Sequence, residues 1–202
     1  SPSPDCADGK LHLTPANLST MLHRSIEHEQ TGRALSRAFP FAAVHPALSG
    51  QSVFADEGAA NHVRLCGARG GQGVELLVYG RDGYAATRPG YPARQTRQAS
   101  EAIARSHTLD PARTVYALQS DAAIDAGAFH NDVVCVGAKR ALFYHELAFA
   151  DTAKMKADVK RAADGLFDPV FVEVSNIDVP IADAIKAYLL IPCWFKCRGA
   201  TA

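Results

Sequence analysis

Short apolar runs of strand character, alternating with amphipathic helices, constrain this chain more than any other feature. Val74-Glu75-Leu76-Leu77-Val78-Tyr79 reads as a strand ended by Gly80. Arg94 to Ser106 follows as a helix with Ala99, Ala102 and Ile103 on its apolar side, and Thr114 to Leu118 is a second strand. Val133 to Val136 and Ala141 to Tyr144 are two more strands, joined by the turn Gly137-Ala138-Lys139-Arg140. Asp151 caps a helix through Ala163 that Gly165 closes, Val170 to Val174 is the next strand, and Ile181 to Tyr188 starts another helix. The order strand, helix, strand, strand, strand, helix, strand is neither pure βαβ alternation nor an all-β pattern. It predicts an α/β layout with more than one small mixed sheet, each partly covered by a helix. No repeat is visible residue by residue, which leaves a structural one open.

Upstream of this regular part, Thr14-Pro15-Ala16-Asn17 has the form of a helix start, with Thr14 as cap and Pro15 in the first turn. Leu18, Met21, Leu22 and Ile26 continue at helical spacing, so a helix is expected to about Phe39, with a break near Gly32. Ser1-Pro2-Ser3-Pro4-Asp5 reads as a disordered lead or the stub of something longer.

Composition narrows the class of function. The chain has 202 residues, 48% hydrophobic and 21% charged, enough to bury a real core and too apolar for wholesale disorder. Lys plus Arg and Asp plus Glu are 21 each, so the formal charge is zero and nothing predicts an electrostatic grip on nucleic acid or anionic lipid. No apolar run approaches the roughly 20 residues of a membrane span. Cys6, Cys66, Cys135, Cys193 and Cys197 are scattered and odd in number, as in a reducing cytoplasm and unlike a disulfide scaffold. Cys193 and Cys197 lack the further ligands of a closed zinc site, and no metal or other cofactor is expected. Small-molecule chemistry is the leading class.

Two clusters stand out. Asp56-Glu57-Gly58-Ala59-Ala60-Asn61-His62 sets two carboxylates beside small residues that let a ligand or backbone approach closely, though the same composition suits a polar turn. Phe129-His130-Asn131-Asp132 precedes an apolar strand, a rigid place from which an acid/base histidine can face a cleft. The alternative there is a histidine that merely caps the strand. His23-Arg24 and Arg94 are candidate clamps for a carboxylate, or simply solvated cations. The glycine-rich stretch Gly67 to Gly73 runs into a strand and not a helix, so it reads as a turn and not as a phosphate cradle.

Taken together and in order, Thr14-Pro15-Ala16-Asn17-Leu18, His23-Arg24-Ser25-Ile26-Glu27, Asp56 to His62, Val78-Tyr79-Gly80-Arg81, Tyr91-Pro92-Ala93-Arg94-Gln95-Thr96 and Phe129-His130-Asn131-Asp132-Val133 resemble the bacterial N-succinylarginine dihydrolase family. The similarity runs from about Asp8 to Leu189. It implies the amidinotransferase-like α/β-propeller (pentein) fold. It also implies hydrolysis of N2-succinyl-L-arginine by two waters to N2-succinyl-L-ornithine, two ammonia and carbon dioxide, by Cys–His–Glu covalent catalysis in arginine catabolism. On this resemblance His130 is the general acid/base and Glu57 its carboxylate partner, Asp132 binds the guanidinium, and His23, Arg24 and Arg94 line the substrate site. The family also implies a cytoplasmic homodimer.

One departure qualifies the expectation. The family's nucleophilic cysteine stands in a Gly-Gly-Gly-Pro-Ala-Cys-Leu segment that these residues do not contain, and Cys135 reads as a core thiol. Family-like sequence gives way after Tyr188-Leu189 to Leu190-Ile191-Pro192-Cys193-Trp194, so residues 1–189 are expected to be part of a pentein domain and 190–202 an out-of-frame tail. Such a part would leave apolar surface open, be poorly soluble or only partly folded in isolation, and lack catalysis, because the covalent route goes with the nucleophile. The alternatives are a non-catalytic protein that captures arginine-like ligands, and a metal hydrolase built on Glu57, His130 and Asp132.

Overall fold

The structure is a computed structural model, described here for residues 1–18, 21–54, 59–85 and 90–187. Strand β1 (His12–Leu13), helices α1 (Leu22–Ser25) and α2 (Glu27–Ala38) and strand β2 (Ala43–Val44) come first, and β1 and β2 pair in parallel across the helices. Next come β3 (His62–Cys66), β4 (Gly73–Tyr79), α3 (Arg97–Ser106) and β5 (Thr114–Leu118). Here β3 and β4 form an antiparallel hairpin, and β5 returns after the helix to lie parallel to β4. A short helix α4 (Asp121–Asp125) leads to β6 (Cys135–Ala138), β7 (Ala141–His145), α5 (Thr152–Ala163) and β8 (Val170–Val174), again an antiparallel hairpin followed by a parallel strand. Helix α6 (Ile181–Lys186) follows. The repeat hidden in the sequence is therefore a ββαβ unit, present twice, with β1–α2–β2 repeating its βαβ part. The described residues make three small sheets and no closed barrel.

Local chemistry explains most of these elements. Thr96 caps α3 by accepting from the Ala99 N–H at 3.0 Å, so this helix begins three residues beyond Arg94. Asp151 caps α5 through the Lys154 N–H at 2.8 Å, and Gly165, at φ +74°, takes the left-handed turn after it. Strand β4 is buried from Gly73 to Val78, the pattern of a strand covered on both faces. On one face Leu77 and Tyr116 meet Ala104, Leu109 and Cys6. On the other, Leu76, Val78, Val115 and Ala117 join Met155, Val159 and Ala162 of α5 in the main core. The two larger sheets meet where Gly137 of β6 crosses β3: a Cβ there would stand 2.5 Å from Val63 Cγ1 and 3.2 Å from the Arg64 carbonyl oxygen.

Four expectations are corrected. Ser1 to Asp5 is not disordered: Ser3–Asp5 forms a 3-10 turn, the Ser1 hydroxyl bonds His107 Nδ1 at 2.9 Å, and Asp5 accepts the Gly73 N–H. Thr14 to Asn17 is not helical: the Thr14 hydroxyl bonds His107 Nε2 at 2.7 Å and the Asn17 amide donates to the carbonyls of Ser49 and Phe54, so both would-be helix signals serve long-range contacts. The helical stretch begins at Leu22 and breaks at Ile26, while Gly32 sits within α2. Residues 131–133 form a single 3-10 turn, and strand β6 starts only at Cys135. Strand β3, which the sequence reading leaves unassigned, is an addition. Leu22, Ile26, Val172 and Ile177 are exposed. Cys6, Cys66 and Cys135 are buried free thiols, and burial raises Cys6 to about 11 and Cys135 further. Residues 188–202 lie outside the described residues.

Candidate functional site

The loops carrying the sequence motifs gather at the carboxyl end of β4. Gly80 follows that strand, and its N–H bonds the carbonyls of Arg94 and Gln95 at 3.1 and 2.9 Å. Glycine is required there because a Cβ would come within 2.6 Å of the Arg94 carbonyl oxygen. Arg81 adds a bond from Nε to the Ala93 carbonyl at 3.2 Å and one to the Ser52 carbonyl at 2.9 Å. The Thr96 hydroxyl donates to the Val53 carbonyl at 2.5 Å. The Val78-Tyr79-Gly80-Arg81 motif thus holds the Tyr91 to Thr96 motif in place, and both hold the loop around residues 52–54.

The His130 segment docks on the same edge. Asn61 donates to the Val78 carbonyl at 3.1 Å and accepts the Asn131 backbone N–H at 3.2 Å. The Phe129 ring then organises the charged groups: the Arg94 guanidinium lies 5.3 Å above it, Tyr91 stacks on it at 6.2 Å, and the His130 imidazole meets it edge-on at 5.2 Å. Asp132 follows in the turn. Burial pushes its carboxyl above the ordinary range, and the neighbouring His130 charge pulls the other way.

His130, Asp132 and Arg94 are thus brought into one half-buried neighbourhood. His23 and Arg24 are not drawn into it: they are exposed on α1, which packs against α2, and Arg24 faces Glu27 at 3.9 Å. Glu57 lies outside the described residues. Among the described residues no group of three or more His, Cys, Asp or Glu side chains is placed to hold a metal ion. No helix among them is long and apolar enough to cross a membrane. Sequence reasoning gave no role of their own in the site to Asn17, Asn61 and Gln119, buried amides whose side chains bond backbone groups elsewhere in the chain. Their only trace in the sequence is polarity beside apolar runs.

A cation over an aromatic ring, an imidazole at its edge and a half-buried carboxyl two residues on stand on loops at one end of a ββαβ sheet, in a protein of mixed α/β class. Its membership of a family follows from sequence comparison. A family model described as succinylarginine dihydrolase matches residues 1–193, and the chain belongs to that family. It is 55% identical over 192 residues to N-succinylarginine dihydrolase 2 of Caulobacter vibrioides, covering 94% of this chain and 43% of the relative. It is 53% identical over 195 residues to N-succinylarginine dihydrolase of Marinobacter nauticus and 51% identical to that of Shewanella sediminis, in each case across 94% of this chain and 44% of the relative. The chain therefore spans less than half the length of the curated relatives it matches.

Proposed function

We propose that this chain carries the acid/base and substrate-gripping part of a succinylarginine dihydrolase site, and that the 202-residue polypeptide by itself binds N2-succinyl-L-arginine without hydrolysing it. The observation that carries this reading is the meeting of Arg94 and His130 at the Phe129 ring, with Asp132 two residues beyond the imidazole, in a chain that belongs to this family. The ligand has two carboxylates at one end and a planar cation at the other. Arg94 suits the first, by paired N–H donors. Asp132 suits the second: a guanidinium beside it restores the ionised state that burial disfavours, so carboxyl and ligand stabilise each other.

His130 is the general acid that protonates departing ammonia and the base that then activates water, with Glu57 as its carboxylate partner. Two waters and one guanidinium carbon account for the products, two ammonia and carbon dioxide, with ornithine nitrogen left on the chain. The covalent route needs a cysteine thiolate in the Gly-Gly-Gly-Pro-Ala-Cys setting, which these residues do not supply. His23 and Arg24 keep a substrate-lining role on family resemblance alone. The ββαβ units are assigned to an α/β-propeller of pentein type, and a cytoplasmic homodimer is the expected setting. Free thiols at Cys6, Cys66 and Cys135 suit that compartment.

Calorimetry with N2-succinyl-L-arginine, alongside an ammonia assay, tests the proposal. Binding that Arg94→Ala weakens, with no ammonia released, is the expected result. No heat of binding would remove the site assignment, and ammonia release would remove the claim of inactivity.

A further inference from the structure

The segment that carries His130 is braced by two buried side-chain amides, neither of them among the residues assigned above. Asn61 ends the short turn before β3 and is 3% exposed. Its bond to the Val78 carbonyl fixes it to β4, and its bond to Asn131 N–H, at 3.2 Å, grips the peptide group that joins His130 to Asn131. Gln119 stands directly after β5 and is 1% exposed. Its own N–H bonds the Tyr79 carbonyl at 2.9 Å, and its Nε2 donates to the Ala128 carbonyl at 2.5 Å. Residues 128–131 are therefore clamped at both ends, and each clamp is anchored on β4.

Burying an amide is costly unless its hydrogen bonds are made, and an apolar side chain of similar volume would fill either position at lower cost. What an apolar side chain lacks is direction. Both amides direct bonds at the backbone of the His130 segment, and a loop held this way has one register against the strand end.

We propose that Asn61 and Gln119 are positioning residues that set the place and angle of the His130 imidazole and the Asp132 carboxyl against the end of β4. The inference rests on the site assignment proposed above. Neither amide touches the ligand; each acts through the loop backbone.

The test compares Asn61→Ala and Gln119→Met with Val159→Ala, a core truncation on α5 that makes no hydrogen bond to the loop and serves as a control for general destabilisation. Two readouts are followed: the titration of the His130 ring by NMR, and the calorimetric affinity for N2-succinyl-L-arginine. Both amide variants are expected to move the His130 midpoint and to weaken binding roughly tenfold, the scale on which misplaced groups act. Val159→Ala is expected to lower the melting temperature and change neither readout. Amide variants that move both readouts no more than Val159→Ala does would overturn the proposal. If Asn61→Ala does not fold, Gln119→Met decides the question alone. If the unmodified chain fails to bind succinylarginine, the site assignment falls, while the His130 titration still shows whether the amides position that ring.

Discussion

The sheets β3–β4–β5 and β6–β7–β8 share one wiring, a hairpin, a crossover helix and a parallel return, yet they are buried differently. Alternation along the strands defines equivalent faces. In the first sheet the face of Leu77 and Tyr116 lies under α3 and the face of Leu76, Val78, Val115 and Ala117 lies under α5. In the second sheet one face meets α5: the Tyr144 hydroxyl donates to Glu173 at 2.6 Å, Lys156 sits over the Tyr144 ring, and Lys160 over Phe171. Its other face carries Phe143, Val170, Val172 and Val174, with Val170 39% and Val172 43% exposed. The side chains are those of a sheet covered twice, but among the described residues the cover is present once. Wiring sets where strands go; the neighbouring unit's helix decides how much a strand contributes to stability.

The sharpest way to break this comparison is a core truncation in the first sheet. Leu76 is fully buried between neighbours from β5 and α5. Leu76→Ala is expected to cost about 3 kcal/mol, transfer and cavity together, measured by urea denaturation. A loss under about 1 kcal/mol would mean that the first sheet is no better packed than the second.

Charge separates the two regions as well. Around the first sheet a set of ionisable groups is buried or half-buried: Asp5 bonds Arg64 and the Gly73 N–H, Glu75 meets His62 at 2.5 Å, and His107 stacks with His45 at 5.2 Å. In the second, Lys156 and Glu173 form a solvent-reached pair at 3.0 Å. Burial lowers His107 to about 3, with the nearby positive groups adding to it. The unfolded imidazole titrates near its ordinary value of about 6.5, so between the two values the unfolded state binds the extra proton. His107 stabilisation is therefore fully present above about 6.5 and is lost as pH falls toward the folded value, at no more than about 1.4 kcal/mol per pH unit. Urea midpoints at pH 7, 6 and 5 check this. His107→Gln should flatten the slope, whereas Lys156→Gln should leave it unchanged, and an equal slope in both variants would deny the first sheet its special pH sensitivity.

Elements whose signals are local were the legible ones. Strands 114–118 and 170–174 and the helix behind Asp151 fall where the sequence puts them, because a cap, a left-handed glycine and a run of β-branched residues act on their immediate neighbours. Strand β3 escaped notice because His62-Val63-Arg64-Leu65 buries its polar members as ion pairs, with His62 on Glu75 and Arg64 on Asp5. Thr14 and Asn17 misled for the same reason: their partners, His107, Ser49 and Phe54, are distant in sequence. At the candidate site, the sequence singles out His130, Asp132 and Arg94 as residue types, but the Phe129 ring that gathers His130 and Arg94 and the amides that brace the loop depend on tertiary packing.

The smallest expected effect sharpens the contrast from the other side. Val172 pairs with Phe143 on the open face of the second sheet, and a threonine there keeps the β-branched shape while trading one methyl for a hydroxyl. In a covered sheet that exchange leaves a hydroxyl to be satisfied, which makes Val→Thr a poor isostere in a core. On a strand this exposed, water supplies the partner. Val172→Thr is expected to change stability by less than about 0.5 kcal/mol, while Val115→Thr, on the equivalent face under α5, should cost about 1 to 2 kcal/mol. Paired urea titrations read the difference directly. Equal losses at the two positions would show that the second sheet's outer face is covered in solution, and the asymmetry between the units would disappear.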